Sequence, residues 1–417
     1  MILTKRLVFG LTISICGAAA QSRQAPACDP NNGGITLPAG FCAFVAADGL
    51  GTGRHMAVAA NGDLYLALQD KGGVVALRDT NGDGRFEIKE AFGRARATGV
   101  GIRNGYVYVA TPNTVERYKL TPGQLKPAAA AEIVVKDLPG VRQHGDKGLT
   151  FDGKGSLYVN VGAPSNACQT RDRTAKSPGQ DPCPILEKNG GVWKFDENKL
   201  GQTQADGTKF ATGLRQMPAI AWHDDAVYIA MNTRESMDQL WPGQFTAEEN
   251  ATRPAEPLYR ATQGANFGWP YCFFDYGLKK FLTNPEYGGD GKKSDRCGEF
   301  SQPIASFPAH WAPVDIMFYD GAQFPAKYKN GAFIVFHGSW NRSPMPQMGY
   351  NITFQPVANG KAAGEFEVFA SGFPGKAPLM NPADAETRPD GIAQAPDGSI
   401  YISDSEKGRV WRVLYRK

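Results

Sequence analysis

The sequence predicts an all-β fold, a six-bladed β-propeller, and three observations carry that expectation. A short apolar strand with a central tyrosine recurs: Asp63-Leu64-Tyr65-Leu66-Ala67, Tyr106-Val107-Tyr108-Val109-Ala110, Ser156-Leu157-Tyr158-Val159-Asn160, Ala226-Val227-Tyr228-Ile229-Ala230 and Ser399-Ile400-Tyr401-Ile402-Ser403. A sixth copy, Ala332-Phe333-Ile334-Val335-Phe336, aligns with Ile334 in the tyrosine's place. An apolar stretch and a turn precede each copy, as in Ala60-Asn61-Gly62-Asp63, Asp152-Gly153-Lys154-Gly155 and Pro396-Asp397-Gly398-Ser399. The repeating unit is therefore a β-hairpin. The markers at 65, 108, 158, 228, 334 and 401 stand 43, 50, 70, 106 and 67 residues apart. The shorter spacings match a four-stranded blade of about 40–50 residues, and the longer ones carry insertions. Long helical patterns are nearly absent between the copies.

From the N-terminus, Lys5-Arg6, the apolar run Leu7 to Ile15 and the exit Ala18-Ala19-Ala20 read as a secretory signal over residues 1–20, not a membrane span. Residues 21–417 are expected to form one propeller domain. Lys5 and Arg6 leave with the signal, taking the formal net charge from +4 to +2. Such a balance carries no nucleic-acid footprint, and no later apolar run is long enough to cross a bilayer. A secreted, extracellular, soluble monomer is the expectation. Of seven cysteines, Cys16 departs with the signal. The remaining six form sequence-local couples across Gly/Pro/Asp-rich loops, which predicts disulfides 28–42, 168–183 and 272–297. No Cys-x-x-Cys-His occurs, so no haem is attached in the c-type manner. Asn250-Ala251-Thr252 and Asn351-Ile352-Thr353 are glycosylation sequons, and Asn341-Arg342-Ser343 is a third.

Within the first blade, Asp79-Thr80-Asn81-Gly82-Asp83-Gly84-Arg85 continues to Glu90 and fits Asp-x-Asn-x-Asp-Gly-x₅-Glu. Asp79, Asn81, Asp83 and Glu90, with the backbone carbonyl of Arg85, offer the oxygen cage that Ca²⁺ needs. The flanks read as strands rather than helices, so the ion's role there would be structural. The insertion from Met231 to Ala332 holds Cys272 and Cys297 and reads as an elaboration on the outside of a blade. No linker or appended module is read in the chain.

In radially arranged hairpins, the starts of the first strands and the ends of the second strands ring one face. Before the first strands lie Arg54-His55, Thr98, His144, Arg215, Val314-Asp315 and Arg388-Pro389-Asp390. After the second strands lie Val161-Gly162-Ala163, Met231-Asn232-Thr233-Arg234 and His337-Gly338-Ser339-Trp340-Asn341-Arg342. Several arginines thus converge on one mouth of the channel, as a flat polyanionic ligand would require, because Arg forks match carboxylates and stack on rings. His144 stands in this ring with Asp146 near it and is a candidate general base, with His55 and His337 competing. No Gly-x-Gly-x-x-Gly fingerprint or Gly-x-Ser-x-Gly elbow occurs.

These segments, together with Gly213-Leu214-Arg215-Gln216 and Gly264-Ala265-Asn266-Phe267-Gly268-Trp269-Pro270, resemble the quinoprotein sugar dehydrogenases. Those are six-bladed propellers carrying pyrroloquinoline quinone (PQQ) and Ca²⁺. The similarity runs from about Leu37 to the end and is strongest to secreted fungal pyranose dehydrogenases and sorbosone-dehydrogenase relatives. It implies oxidation at the anomeric carbon of a pyranose or ketoaldose, with electrons passed to an external acceptor such as a cytochrome or redox protein. By position, His144 would be the base, and Arg215 would lie over the PQQ face. Backbone carbonyls near Thr233 and Arg234 would hold the catalytic Ca²⁺. Arg54, His337, Trp340, Asn341, Arg342 and Arg388 would contact the cofactor. The stretch from His337 to Arg342 departs from the basic stretch of the bacterial glucose-oxidising members.

Two other classes remain open. A Ca²⁺-dependent lactonase on a similar propeller would hold its metal on Asp, Asn and Glu side chains in the channel, whereas this ring reads as cationic rather than acidic. A non-catalytic binding propeller would give no reason for Arg54, His144, Arg215 and Arg388 to share one rim.

Overall fold

The computed structural model describes residues 26–70, 72–93 and 96–416, so the expected signal segment lies outside the described residues. Six antiparallel sheets stand around one axis. Blade 1 runs through Gly53–Val58, Leu64–Leu68, Val74–Arg78 and Ile88–Phe92, and blade 2 through Gly99–Arg103, Tyr106–Ala110, Val115–Lys119 and Glu132–Val135. Blade 3 is Leu149–Phe151, Ser156–Val161, Gly191–Asp196 and Thr208–Thr212, with Ala265–Asn266 added in parallel at its edge. Blade 4 comprises Gln216–His223, Ala226–Asn232, Glu256–Ala261 and Ala305–Phe307. Blade 5 comprises Pro313–Phe318, Ala332–Phe336, Asn351–Gln355 and Glu367–Ala370.

Blade 6 closes the ring. Its strands Pro389–Gln394, Ile400–Asp404 and Val410–Tyr415 take their fourth partner from the N-terminal side, where Phe41–Ala47 pairs antiparallel with Val410–Tyr415. The predicted hairpins do not include this strand, because its partner lies some 370 residues later in the chain. The pairing ties the two ends of the chain into one blade and so locks the ring, while each blade keeps only short edges.

The repeated tyrosines explain how blades adhere. Tyr65 packs with Val100 and Val107 of blade 2, Tyr108 with Leu149 and Leu157 of blade 3, and Tyr158 with Met217 and Ile220 of blade 4. Tyr228 faces blade 5 and Tyr401 faces blade 1. In each case the ring fills the gap toward the following blade. The alignment of Ile334 with these tyrosines is one residue out of register. Ile334 packs back on blade 4, while Phe333 faces blade 6 and stacks on Tyr328 at 5.7 Å. In a strand a one-residue slip exchanges faces, and an all-apolar run such as Ala332–Phe336 carries no alternation to fix it.

All three predicted disulfides, Cys28–Cys42, Cys168–Cys183 and Cys272–Cys297, are present. Among the described residues no helix is long and apolar enough to cross a membrane. The sequons fare differently. Asn250 is buried, its amide donating to the Asn341 carbonyl and accepting from the Met237 amide, and Asn351 is buried in blade 5. In the folded chain neither of these asparagine side chains is exposed.

Bulges interrupt the innermost strands at their starts, between Gly53 and Met56, Gln216 and Ala219, Pro313 and Asp315, and Pro389 and Ile392. Each re-aims the side chains that begin the strand. Glycine permits the close approach this needs: a Cβ on Gly391 would lie 2.4 Å from the Arg54 carbonyl oxygen and 2.8 Å from Ser403 Oγ. Gly391→Ala is accordingly expected to lower unfolding free energy by about 1–3 kcal/mol, the usual cost of overpacking, measured by urea denaturation against the parent protein.

Candidate active site

A cavity of about 240 Å³ opens at the face where the innermost strands begin, lined by His144, Arg215, Thr233, Trp340 and Asn341 among others. Five residues assigned from sequence are thus brought together from blades 2 to 5 and their loops.

His144 lies in the loop between blades 2 and 3 and adopts a left-handed backbone, φ 58°. Its Nδ1 sits 2.6 Å from the Ala163 carbonyl oxygen. A carbonyl only accepts, so Nδ1 carries the proton and Nε2 keeps its lone pair for the cavity. Gly162 makes room, since a Cβ there would stand 2.2 Å from the His144 carbonyl oxygen. Burial, reinforced by the Arg215 charge, draws the imidazole pKa down to about 3.

Arg215 is buried and donates from Nη2 to Glu235 Oε1 at 2.9 Å. The same carboxylate receives Arg173 Nη2 at 2.5 Å and Asn341 Nδ2 at 2.7 Å. Burial alone would raise Glu235, but Arg215 and Arg173 outweigh it and hold the group at about 2. Behind it, burial lifts Glu256 to about 8 even though its carboxyl accepts from the Thr233 amide at 3.0 Å. His310, also lining the cavity, is lowered to about 4 by burial and meets the Asn250 carbonyl at 2.7 Å. Three buried polar atoms in this wall have no protein partner: Arg215 Nε, Thr233 Oγ1 and Asn341 Oδ1. Buried groups are normally paired, so a guanidinium donor, a hydroxyl and an amide acceptor without partners on residues that line one cavity mark a wall suited to a polar ligand. Trp340, 57% exposed, forms the rim.

Other assigned residues stand apart from the cavity. Arg54 is held between Asp390, at 2.7 Å, and Asp146. Arg342 spends its guanidinium on the carbonyl oxygens of Pro346, Ala309 and Ala251. Arg388 donates to the carbonyls of His337 and Gly338 and lies over the Tyr350 ring. His337 Nε2 is 2.9 Å from Ser405 Oγ. The Arg234 side chain turns away into a buried pair with Glu286, leaving only its backbone carbonyl as a conceivable metal ligand. The expectation of a cationic ring is therefore corrected: Asp146, Asp390 and Glu235 pair with the arginines, because charges at a buried axis persist only when paired, and burial raises the pKa of the unpaired acids Asp315 and Glu256.

Arg173, Glu235, Glu256 and His310 were not reached from sequence. Glu235 follows Thr233-Arg234 directly and could have been found by extending that segment. Arg173 arrives on the loop closed by Cys168–Cys183, and His310 and Glu256 return from the insertion expected to stay outside the blade; no local pattern marks them.

In the acidic loop of blade 1, the carboxylates of Asp79, Asp83 and Glu87 lie within 4.8 Å of one another. Glu90, predicted as the final ligand, sits instead on the outer strand opposite Ala76. The strand begins at Ile88, so the chain is already extended where a helical loop would have brought the twelfth residue round. Asn81 donates to Glu87 and Asp83, and Arg85 reaches Asp29.

A propeller whose face holds a polar-lined cavity with a neutral histidine and unpartnered buried polar atoms has the makings of a ligand-binding or catalytic propeller. The chain belongs to the TrAA12-like family, which it matches over residues 35–417, and so to the AA12 type of PQQ-dependent oxidoreductase. Solved structures share the fold. The calcium structure of the Trichoderma reesei carbohydrate-active enzyme of family AA12 is 17% identical, covers 95% of this chain and 99% of its own, and has a TM-score of 0.74. The holo PQQ domain of Coprinopsis cinerea pyranose dehydrogenase is 16% identical, with coverages of 94% and 99% and a TM-score of 0.70. The Escherichia coli soluble aldose sugar dehydrogenase, in its apo form, is 16% identical, with coverages of 90% and 100% and a TM-score of 0.58. An uncharacterized protein of Borreliella burgdorferi is 35% identical over 278 residues, which span 66% of this chain and 62% of that protein.

Because burial and Arg215 both disfavour imidazolium, His144 of the cofactor-free protein is expected to stay neutral down to at least pH 5. Histidine NMR titration, assigned with His144→Ala, checks this; a transition near pH 6.5 would show a solvated ring.

Proposed function

We propose that the protein is a secreted PQQ- and Ca²⁺-dependent dehydrogenase that oxidises the anomeric carbon of a pyranose and passes electrons to a separate acceptor. The observation that carries this reading is the meeting of His144, Arg215, Thr233, Trp340 and Asn341 around one cavity, three of whose lining residues carry a buried polar atom without a protein partner. PQQ fits that donor set. Arg215 Nε suits a carbonyl or carboxylate oxygen, Asn341 Oδ1 suits a ring N–H, and the exposed Trp340 suits a flat ring system. Backbone carbonyls of Thr233 and Arg234, beside Thr233 Oγ1, are hard oxygen ligands appropriate to Ca²⁺. When bound, PQQ supplies the two-electron acceptor and Ca²⁺ the Lewis acid.

The chain's own residues do the rest. His144 Nε2, unprotonated, takes the proton of the anomeric hydroxyl as the substrate loses two electrons and a second proton to become the lactone. Burial first and the Arg215 charge second hold the imidazole low, at about 3, and a polycarboxylate bound beside Arg215 would oppose the second of these. Arg215, fixed by Glu235, presents a buried positive charge that needs no reorganisation when negative charge develops. Trp340 and the loop bearing Arg173 narrow access to water.

The lactonase reading finds less support. Among the described residues, the only group of three close His, Cys, Asp or Glu ligands is the acidic loop of blade 1, away from the cavity. For that loop we propose a second, structural Ca²⁺ held by Asp79, Asp83 and Glu87 with help from Asn81.

Protein mixed with PQQ and Ca²⁺ is expected to reduce a dye when aldopyranoses are added. His144→Ala should retain PQQ yet lose 10²–10⁴-fold in turnover, the usual worth of a general base, whereas Arg215→Ala should weaken PQQ binding as well. Near-parental turnover by PQQ-loaded His144→Ala would move the base elsewhere. Asp83→Ala should lower the melting temperature in Ca²⁺ more than it lowers turnover, and an unchanged calcium stoichiometry would remove the second ion.

A further inference from the structure

Lys147 is the one fully buried lysine among the described residues, 0% exposed, and it makes no ion pair there within 4 Å. Its Nζ donates to the carbonyl oxygens of Pro139, at 3.3 Å, and Gly145, at 3.2 Å. These two carbonyls bracket the loop that carries His144. Among the described residues, 139 to 147 make no backbone–backbone hydrogen bond, so side chains alone fix this stretch. Thr98 Oγ1 clamps the Lys147 backbone, accepting from its amide at 2.8 Å and donating to its carbonyl at 3.1 Å. Asn160 holds the Asp146 carbonyl at 3.0 Å. Only the Lys147 ammonium ties the loop's first residue to the residue after the histidine.

An ammonium in the interior is expensive unless its donors are used, and an apolar side chain of similar length would fill the space at lower cost. The turn it closes is also tight, since a Cβ on Gly145 would stand 2.5 Å from the Val141 carbonyl oxygen. We propose that Lys147 is the positioning residue for the base: it pins Pro139 to Gly145 so that His144 Nδ1 stays on the Ala163 carbonyl and Nε2 is held toward the cavity. This rests on His144 being the base, but the placement of the ring can be read without turnover.

The test is Lys147→Met, which keeps length and volume and removes the donors. With PQQ and Ca²⁺ loaded, kcat should fall about 100-fold, the effect of a misplacement of about 1 Å, with the sugar KM and the PQQ affinity of the apo protein little changed. In the cofactor-free variant the His144 ring, freed from burial beside Arg215, should titrate close to the ordinary histidine value of 6.5. A shifted titration with parental kcat would keep the positioning role and instead remove His144 as the base. Unchanged titration overturns the proposal. So does a variant that fails to fold or that loses PQQ binding and turnover together, since either outcome assigns Lys147 to the core or to the cofactor wall.

Discussion

Six innermost strands have to meet around one axis, and the side chains at their starts have no room to avoid one another. Bulges and glycines make the approach feasible: Gly148 could not bear a Cβ, which would lie 2.1 Å from the Pro218 carbonyl oxygen, and Gly99 would meet the Lys147 carbonyl at 2.4 Å. What the axis gains is a set of polar side chains drawn from distant parts of the chain and held at low dielectric. Everything at the site follows from the pairing that such burial enforces.

Pairing divides the charged residues into two groups. In one, Arg54 is closed by Asp146 and Asp390, and burial raises the Asp390 carboxyl to about 6 in spite of that arginine. In the other, beside the cavity, Glu235 gathers Arg173, Arg215 and Asn341 on its two oxygens while Arg215 Nε has no protein partner. Asp390 Oδ1 is likewise unpartnered in the first group. The cavity group also holds two histidines, His144 and His310, whose burial keeps them neutral.

The loops that complete the cavity are fastened independently of the blades. Gln143 beside the base donates to Asp172 and accepts from Arg173, both on the loop spanned by Cys168–Cys183. The insertion after blade 4's second strand, with its own disulfide Cys272–Cys297, sends Glu256 and His310 back to the axis. Sheets thus fix the radial position of each strand start, while side-chain bonds and disulfides fix the loops above them.

Local pattern in the sequence determined what depends on near neighbours. The hairpins, their number, the interblade tyrosines and the three sequence-local disulfides were legible because alternation, turn chemistry and short cysteine spacings are read within tens of residues. The ring position of His144, Arg215, Thr233, Trp340 and Asn341 was legible too, since strand polarity alone decides which hairpin end faces which way. Tertiary structure alone decided the rest. It chose Phe333 over Ile334, because an unalternating apolar strand takes its face from its neighbours. It supplied Phe41–Ala47 as the closing strand and placed Glu87 where Glu90 was expected. It also set acids against the axial arginines and brought Arg173, Glu235, Glu256 and His310 into the wall. Charge neutralisation at a buried axis is settled by distances between residues that the sequence keeps far apart.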